Sequence, residues 1–377
     1  MHLPKTKLLF IFGTRPEAIK LAPLIKEFQA RSEKFDVQVC VTAQHREMLD
    51  QVLHFFGIVP DFDLNIMRPG QTLFEMTASA LKELEEVLEA SKPQLVFVQG
   101  DTTTSFIGAL AAYYKKIKVA HIEAGLRSGN KYSPYPEEMN RVLAGRLSDY
   151  HFTPTQKSVE NLNNENIHSN VYQVGNTVID ALFLGLELVK KSGEEKYRKQ
   201  FNSISLEKKI VLITGHRRES FGNPFENICH AIKETAEKFS DVEFVYPVHL
   251  NPNVQEPVIK ILSGKKNVHL MEPLDYPSFI WLMNRSFIVL TDSGGLQEEA
   301  PSLGKPVLVM RDVTERQEGI DAGTAKLVGT DKKLIVQELT SLLSDDSAYR
   351  AMAKAVNPYG DGTASKKIVQ IISDIAF

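Results

Sequence analysis

Short apolar runs alternate with longer stretches of helical spacing along the whole of this chain, and that alternation limits the folds open to it. Residues 7–12, 36–42, 95–98 and 119–122 in the first half are rich in Val, Ile, Leu and Phe, as are 210–214, 242–247, 268–271, 287–290 and 306–310 in the second. Such runs read as strands buried on both faces, and strands separated by helices read as a doubly wound, mostly parallel sheet. The pattern pauses around residues 171–175, and a polar stretch at 192–199 precedes the next strand. A chain of 377 residues is also longer than one core usually serves. The sequence therefore predicts an α/β protein of two tandem Rossmann-like domains, residues 1–174 and 175–364. Residues 357–365 break the helices, and a last amphipathic helix follows in residues 365–377.

Composition narrows the function classes. A net charge of −3 offers no footprint for nucleic acid or an anionic membrane. No apolar stretch is long enough for a membrane span, and the run ending at Phe12 is too short for a signal sequence. Cys40 and Cys229 match no metal or disulfide spacing, so a reduced, cytoplasmic setting is expected. No G-x-G-x-x-G follows a strand, and there is no Walker loop; the nearest approach, Gly360-Asp-Gly-Thr-Ala-Ser365, follows no strand. Nicotinamide, flavin and ATP chemistry are thereby disfavoured, and no metal-ligand spacing is present.

In open α/β sheets ligands bind beyond the carboxyl ends of the strands. Arg15 follows the first strand, Asp101 follows residues 95–98, and Glu123 follows residues 119–122. In the second half His216 follows residues 210–214, and His249 follows residues 242–247 with weaker company. The run 287–290 leads into Thr291-Asp292-Ser293-Gly294-Gly295 and then helix-forming residues. Thr291, Asp292 and Ser293 read as helix caps, the glycines admit a close ligand, and a helix start favours an anion such as phosphate. Plainer readings stand beside these: an ordinary βα turn at Gly294, a capping role for Asp101, and a surface i,i+4 pair between Glu137 and Arg141. His216 lies in a polar loop, which disfavours a core histidine.

Several segments together carry a resemblance. They are Phe12-Gly-Thr-Arg-Pro-Glu-Ala-Ile-Lys20, Gln99-Gly-Asp101, His121-Ile-Glu-Ala-Gly-Leu-Arg127, Pro136-Glu-Glu-Met-Asn-Arg141, Gly215-His-Arg-Arg-Glu-Ser220, Thr291-Asp-Ser-Gly-Gly-Leu-Gln-Glu-Glu-Ala-Pro301 and Arg311-Asp-Val-Thr-Glu-Arg316. In this order they resemble the non-hydrolysing bacterial UDP-N-acetylglucosamine 2-epimerases over essentially the whole chain. The resemblance implies a glycosyltransferase-B type fold with an inter-domain active-site cleft, the last helix returning to the first domain. It also implies a homodimer, and interconversion of UDP-N-acetylglucosamine and UDP-N-acetylmannosamine for cell-surface polysaccharide synthesis, with no metal or redox cofactor.

By the same resemblance Asp101, Glu123 and Glu137 are acid/base carboxylates and His216 assists departure of UDP. Arg15, Ser293, Gly294 and Gly295 hold UDP, Glu299 resembles the ribose ligand, and Lys20, Arg141 and Arg316 look like charge partners. Gln44 and His45, with the stretch Arg68-Pro69-Gly70-Gln71, resemble segments that bind a second, activating sugar nucleotide; His249 is a further candidate there. Glu47 and Gly70 stand where some relatives carry Gln and Arg. The chemistry is consistent: the C2 proton beside an acetal carbon is hardly acidic until UDP leaves C1, after which elimination gives a 2-acetamidoglucal. The alternatives are a 2-epimerase of a modified UDP-sugar of the diacetamido-uronic acid type, a glycosyltransferase of the same fold, a hydrolase releasing free sugar, and a non-catalytic nucleotide-binding module.

Overall fold

In the computed structural model, which describes residues 4–42, 46–66 and 70–375, the apolar runs form two sheets. The first contains β1 (Thr6–Phe12), β2 (Phe35–Val41), β3 (Phe62–Asp63), β4 (Leu95–Gln99), β5 (Lys118–Ile122), β6 (Tyr150–Thr153) and β7 (Val171–Gln173). Its spatial order is β3-β2-β1-β4-β5-β6-β7. The second contains β8 (Lys209–Thr214), β9 (Val242–Pro247), β10 (Val268–Met271), β11 (Ile288–Thr291), β12 (Val307–Val309) and β13 (Ala325–Leu327), in the order β10-β9-β8-β11-β12-β13. Every neighbouring pair is parallel.

The order reverses between β1 and β4 in one sheet and between β8 and β11 in the other. At such a switch the crossover helices depart to opposite faces and leave a crevice at the strands' carboxyl ends. The strands that flank both switches are largely buried. Leu8 through Phe12 and Ile210 through Ile213 are fully buried, and the Phe10 and Phe97 rings stack 4.5 Å apart across β1 and β4.

The chain divides into two compact units. One runs through Leu184 and resumes at Tyr359; the other is Gly185–Pro358. The resuming segment is held by local chemistry. The Asn176 amide donates to the Tyr359 carbonyl at 2.7 Å, and the Asp180 carboxylate accepts from the amides of Ala364 and Ser365 at 3.2 and 2.8 Å. Those two amides open the last helix, Ala364–Ser373, which has no side-chain cap of its own, so Asp180 supplies the acceptor from outside. Gly360 and Gly362 make close approaches here. A Cβ on Gly360 would stand 3.3 Å from the Gly175 Cα, and one on Gly362 2.4 Å from the Phe183 ring. The near-match to a dinucleotide motif is thus a packing feature.

Strands β3, β6, β7 and β13 lack the apolar run by which the others are legible. In β6 the reason is a histidine. His151 is buried, and its register partner on β5 is His121, also buried. Desolvation pulls both rings down to about 4. Both are therefore neutral in the folded state near neutral pH, whereas an unfolded chain protonates them near 6.5. The unfolded state binds more protons between those values, so this contribution to stability is present above about 6.5 and is lost as pH falls toward 4. Urea midpoints of wild type and His151→Gln, compared at pH 7 and pH 5, are expected to show the wild type losing stability relative to the variant at the lower pH. A pH-independent difference would contradict the neutral buried ring.

Candidate active site

The helix Arg15–Gln29 begins at Thr14, whose side chain accepts from the Glu17 amide while the Glu17 carboxylate returns to the Thr14 amide. One turn further, Lys20 projects toward the end of β5, and its ammonium donates to the Glu123 carboxylate. The Gln99 side-chain amide donates to the same oxygen. Glu123 is buried and adopts a left-handed backbone, φ 62°. That conformation costs a non-glycine residue about 1 kcal/mol or more, and here it turns the carboxylate toward Lys20.

Asp101 follows β4 one residue beyond Gly100, which itself has φ 68°. It caps nothing: the helix Thr103–Tyr114 is capped by Thr102, which accepts from the Ser105 amide. The Asp101 carboxylate stands 3.6 Å from an Arg141 guanidinium nitrogen. Its side chain is a third exposed, yet desolvation is the largest influence and raises it above the usual carboxylate range. Arg141 and Lys20 pull it down, and Glu123 and Glu137 push it up. Asp101, Glu123 and Glu137 therefore share one electrostatic neighbourhood with two cations.

The expected Glu137–Arg141 surface pair does not form. Arg141 lies 3.1 Å from Glu138 instead, an ion contact in which the Nε–H is not aimed at the oxygen. Glu138 is buried and also accepts from the amides of Ser128 and Gly129. Glu137 is left half-buried at the first turn of Glu137–Leu147. Glu138 is the buried one of the two carboxylates, and the guanidinium turns to it.

In the second unit the loops after β8 and β11 meet. Asp292, expected as a helix cap, reaches across the switch instead: one carboxylate oxygen accepts from the amides of His216 and Arg217 at 2.6 and 2.7 Å. The other oxygen has no hydrogen-bond partner and lies 3.5 Å from the His216 Nδ1. Thr291 bonds Thr214 side chain to side chain and accepts from the Ser293 amide. The helix Leu296–Ser302 starts at Gly295 with no side-chain cap. Asp292 was the residue sequence reasoning undervalued; a buried carboxylate at a strand end beside a polar loop was its signal.

The His216 ring stacks on His249 at 5.2 Å, while the His249 Nδ1 accepts from the Asn251 amide. Burial lowers the His216 pKa; the Asp292 charge opposes this, and His249 and Arg217 reinforce it. The Arg316 guanidinium lies against Gly294, where a Cβ would come within 3.2 Å of it. It is bound to the buried Glu298 at 2.9 Å, with Glu299 buried one residue on. Arg15, half-buried at the end of β1, has no ion pair among the described residues. Gln44 and His45 lie outside the described residues, as do Arg68 and Pro69. Among the described residues no cluster of His, Cys, Asp and Glu could hold a metal ion, and no helix is long and apolar enough to cross a membrane.

Comparison with known proteins matches residues 26–373 to the sequence profile of the family described as UDP-N-acetylglucosamine 2-epimerase. The UDP-N-acetylglucosamine 2-epimerase of Escherichia coli K12 is 56% identical over 373 residues, covering 98% of each chain. The crystal structure of the Neisseria meningitidis UDP-GlcNAc 2-epimerase bound to UDP-GlcNAc is 52% identical, with a TM-score of 0.90 over 98% of this chain and 100% of that one. The Methanocaldococcus jannaschii enzyme in complex with UDP-GlcNAc and UDP is 35% identical, TM-score 0.80, over 98% and 99%. The two parallel sheets with alternating helices are of the glycosyltransferase-B type.

The Asp292 contact has a direct readout. In Asp292→Asn the amide oxygen still accepts from both backbone N–H groups, but the charge that raises His216 is gone. The His216 ring, followed by NMR titration, is expected to protonate at lower pH than in wild type. An unmoved titration would mean that the carboxylate does not act on the ring.

Proposed function

The chain belongs to the UDP-N-acetylglucosamine 2-epimerase family, an isomerase family, and we propose that it interconverts UDP-N-acetylglucosamine and UDP-N-acetylmannosamine by eliminating and re-adding UDP. The observation that carries the reading is the grouping of Asp101, Glu123 and Glu137 around Lys20 and Arg141. Inversion at C2 needs proton transfer on both faces of the sugar, hence more than one acid/base group. A transferase needs one base and an acceptor.

The reaction balances as follows. The C1–O bond breaks and its electrons leave with UDP, while a carboxylate removes the C2 proton and the C1–C2 double bond of 2-acetamidoglucal forms. A protonated carboxyl then delivers a proton to the opposite face of C2 as a UDP oxygen returns to C1. Asp101 suits proton traffic because its raised pKa brings the acid and base forms closer to working pH. Glu123, fixed by Lys20 and Gln99, and Glu137 are the remaining candidates.

The loops after β8 and β11 would stabilise the departing diphosphate. Their backbone is fixed by Asp292, so dipoles and cations are already oriented when charge develops. His216, whose pKa desolvation lowers, assists that departure, while Ser293, Gly294 and Gly295 line the phosphates. Glu299 takes the ribose, and Arg15 and Arg316 complete the charge balance. The same reading carries a cytoplasmic homodimer whose activator site includes His249.

Proton NMR with UDP-N-acetylglucosamine in heavy water tests the reading. UDP-N-acetylmannosamine is expected to appear, with deuterium at C2 of both epimers. Free sugar with UDP would instead identify a hydrolase, and an unchanged spectrum would redirect the search to modified sugar nucleotides. Asp101→Asn is expected to bind UDP as wild type does and to lose about 100-fold or more in turnover; wild-type-like epimerisation would remove Asp101 from the mechanism. His216→Ala is expected to slow positional exchange of the bridging oxygen, and unchanged exchange would remove His216 from C1–O cleavage.

A further inference from the structure

Glu17 is 1% exposed, so it touches no substrate, yet it sits at the switch between β1 and β4 with both carboxylate oxygens engaged. One oxygen accepts from the amides of Gly13 and Thr14 at 3.0 and 2.7 Å. The other accepts from the Thr102 hydroxyl at 2.7 Å, with the Ser105 hydroxyl 3.3 Å away. The first pair belongs to the loop that ends in Arg15. The second belongs to the loop that carries Asp101: Thr102 is its chain neighbour and helix cap, and Ser105 donates its hydroxyl proton to the Gln99 carbonyl. Gln99 in turn holds Glu123. Three residues after Glu17, on the same face of the same helix, Lys20 holds Glu123 directly.

We infer that Glu17 is a positioning residue for the reaction proposed above: its carboxylate ties the β1 loop to the β4 loop and thereby sets where Asp101 stands relative to Arg15, Lys20 and Glu123. The tie works through geometry and not through charge on Asp101. The largest charge influences on Asp101 come from Arg141, Glu123, Lys20 and Glu137. The Glu17 carboxyl is pushed up by burial, and hydrogen bonds with Thr102, Thr14 and Gly13 pull the other way, so its acceptor capacity is spent within the protein. Neighbouring packing makes the arrangement tight. A Cβ on Gly13 would fall 2.1 Å from the Thr42 hydroxyl and 2.8 Å from that of Thr104, so the β1 loop has no room to shift toward the sheet.

The inference rests on the epimerase reading only for its kinetic arm. Turnover is measured on Glu17→Ala, Glu17→Gln and Glu17→Asp at temperatures well below each variant's unfolding midpoint. A displacement near 1 Å in a reacting group can cost about 100-fold, so Glu17→Ala is expected to lose about that in kcat with KM within about threefold. In Glu17→Gln the amide oxygen can keep both backbone N–H groups, and the two hydroxyls can turn to accept from the amide nitrogen. It is expected to recover to within about tenfold of wild type. Glu17→Asp keeps the charge but is one methylene too short to span the loops, and is expected to behave as Glu17→Ala. A kcat for Glu17→Ala within twofold of wild type, or recovery by Asp and not by Gln, would overturn the inference.

The second arm needs no substrate. The Asp101 carboxyl, followed by carbon NMR in protein labelled at aspartate and assigned with Asp101→Asn, is expected to titrate differently in Glu17→Ala than in wild type. An identical titration in the folded variant would show that the tie does not position Asp101. If wild type leaves UDP-N-acetylglucosamine unchanged in heavy water, the functional reading fails, and the titration still decides the role of Glu17.

Discussion

A parallel sheet covered on both faces must run every strand the same way, because each crossover helix returns the chain to the edge at which the strand began. All carboxyl ends of one sheet then open on one edge, and the only irregularity available there is the point at which the strand order reverses. In this protein that constraint acts twice. At β1 and β4 it gathers Gly13, Thr14, Gly100 and Asp101, with Glu123 just after the adjacent β5; at β8 and β11 it gathers His216, Arg217, Asp292 and Ser293. The chemistry-bearing side chains come from loops far apart in the chain, and the sheets bring them together.

The two gatherings differ in their electrostatics. In the first unit three carboxylates lie near two cations, Lys20 and Arg141, and burial leaves Asp101 raised despite them. In the second, a single buried carboxylate serves as scaffold. Asp292 spends one oxygen on two backbone amides and so fixes a loop that would otherwise carry orphaned donors beside a strand end. Arg311 plays a comparable part nearby. It is buried and bound to Glu219 and to both oxygens of Glu315; burial pushes Glu315 up, but those contacts bring it down to about 2. That network joins the segment after β8 to the segment after β12, and leaves Arg316 to contact Glu298 and Gly294.

Most of the strand positions and the two-sheet α/β class were legible because parallel strands buried on both faces must be continuously apolar. Strand β6 was not, because Tyr150-His151-Phe152-Thr153 places a histidine at a fully enclosed position, and only its neighbours reveal that the ring is kept neutral. The rule that ligands gather beyond strand ends singled out Arg15, Asp101, Glu123, His216 and Ser293 without reference to any contact. It said nothing of Gln99, Glu138 or Asp292, since their roles lie in what they bind. Helix-capping preference, a separate signal, points to Thr291 and Asp292 as caps, because a polar residue before a helix looks the same whether its side chain turns to that helix or across to the next loop.

The sequence by itself therefore determined the class of fold, the edges at which chemistry could occur, and, through its ordered segments, the family to which the chain belongs. These follow from period, apolar content and residue type, which are local properties of the chain. Only the tertiary structure decided which charges pair: Arg141 with Glu138 and Asp101 and not Glu137, Lys20 with Glu123, Asp292 with the His216 loop, and Glu17 with donors from two loops. Pairing depends on distance and on exclusion of water, and both are set by how strands far apart in sequence are placed side by side.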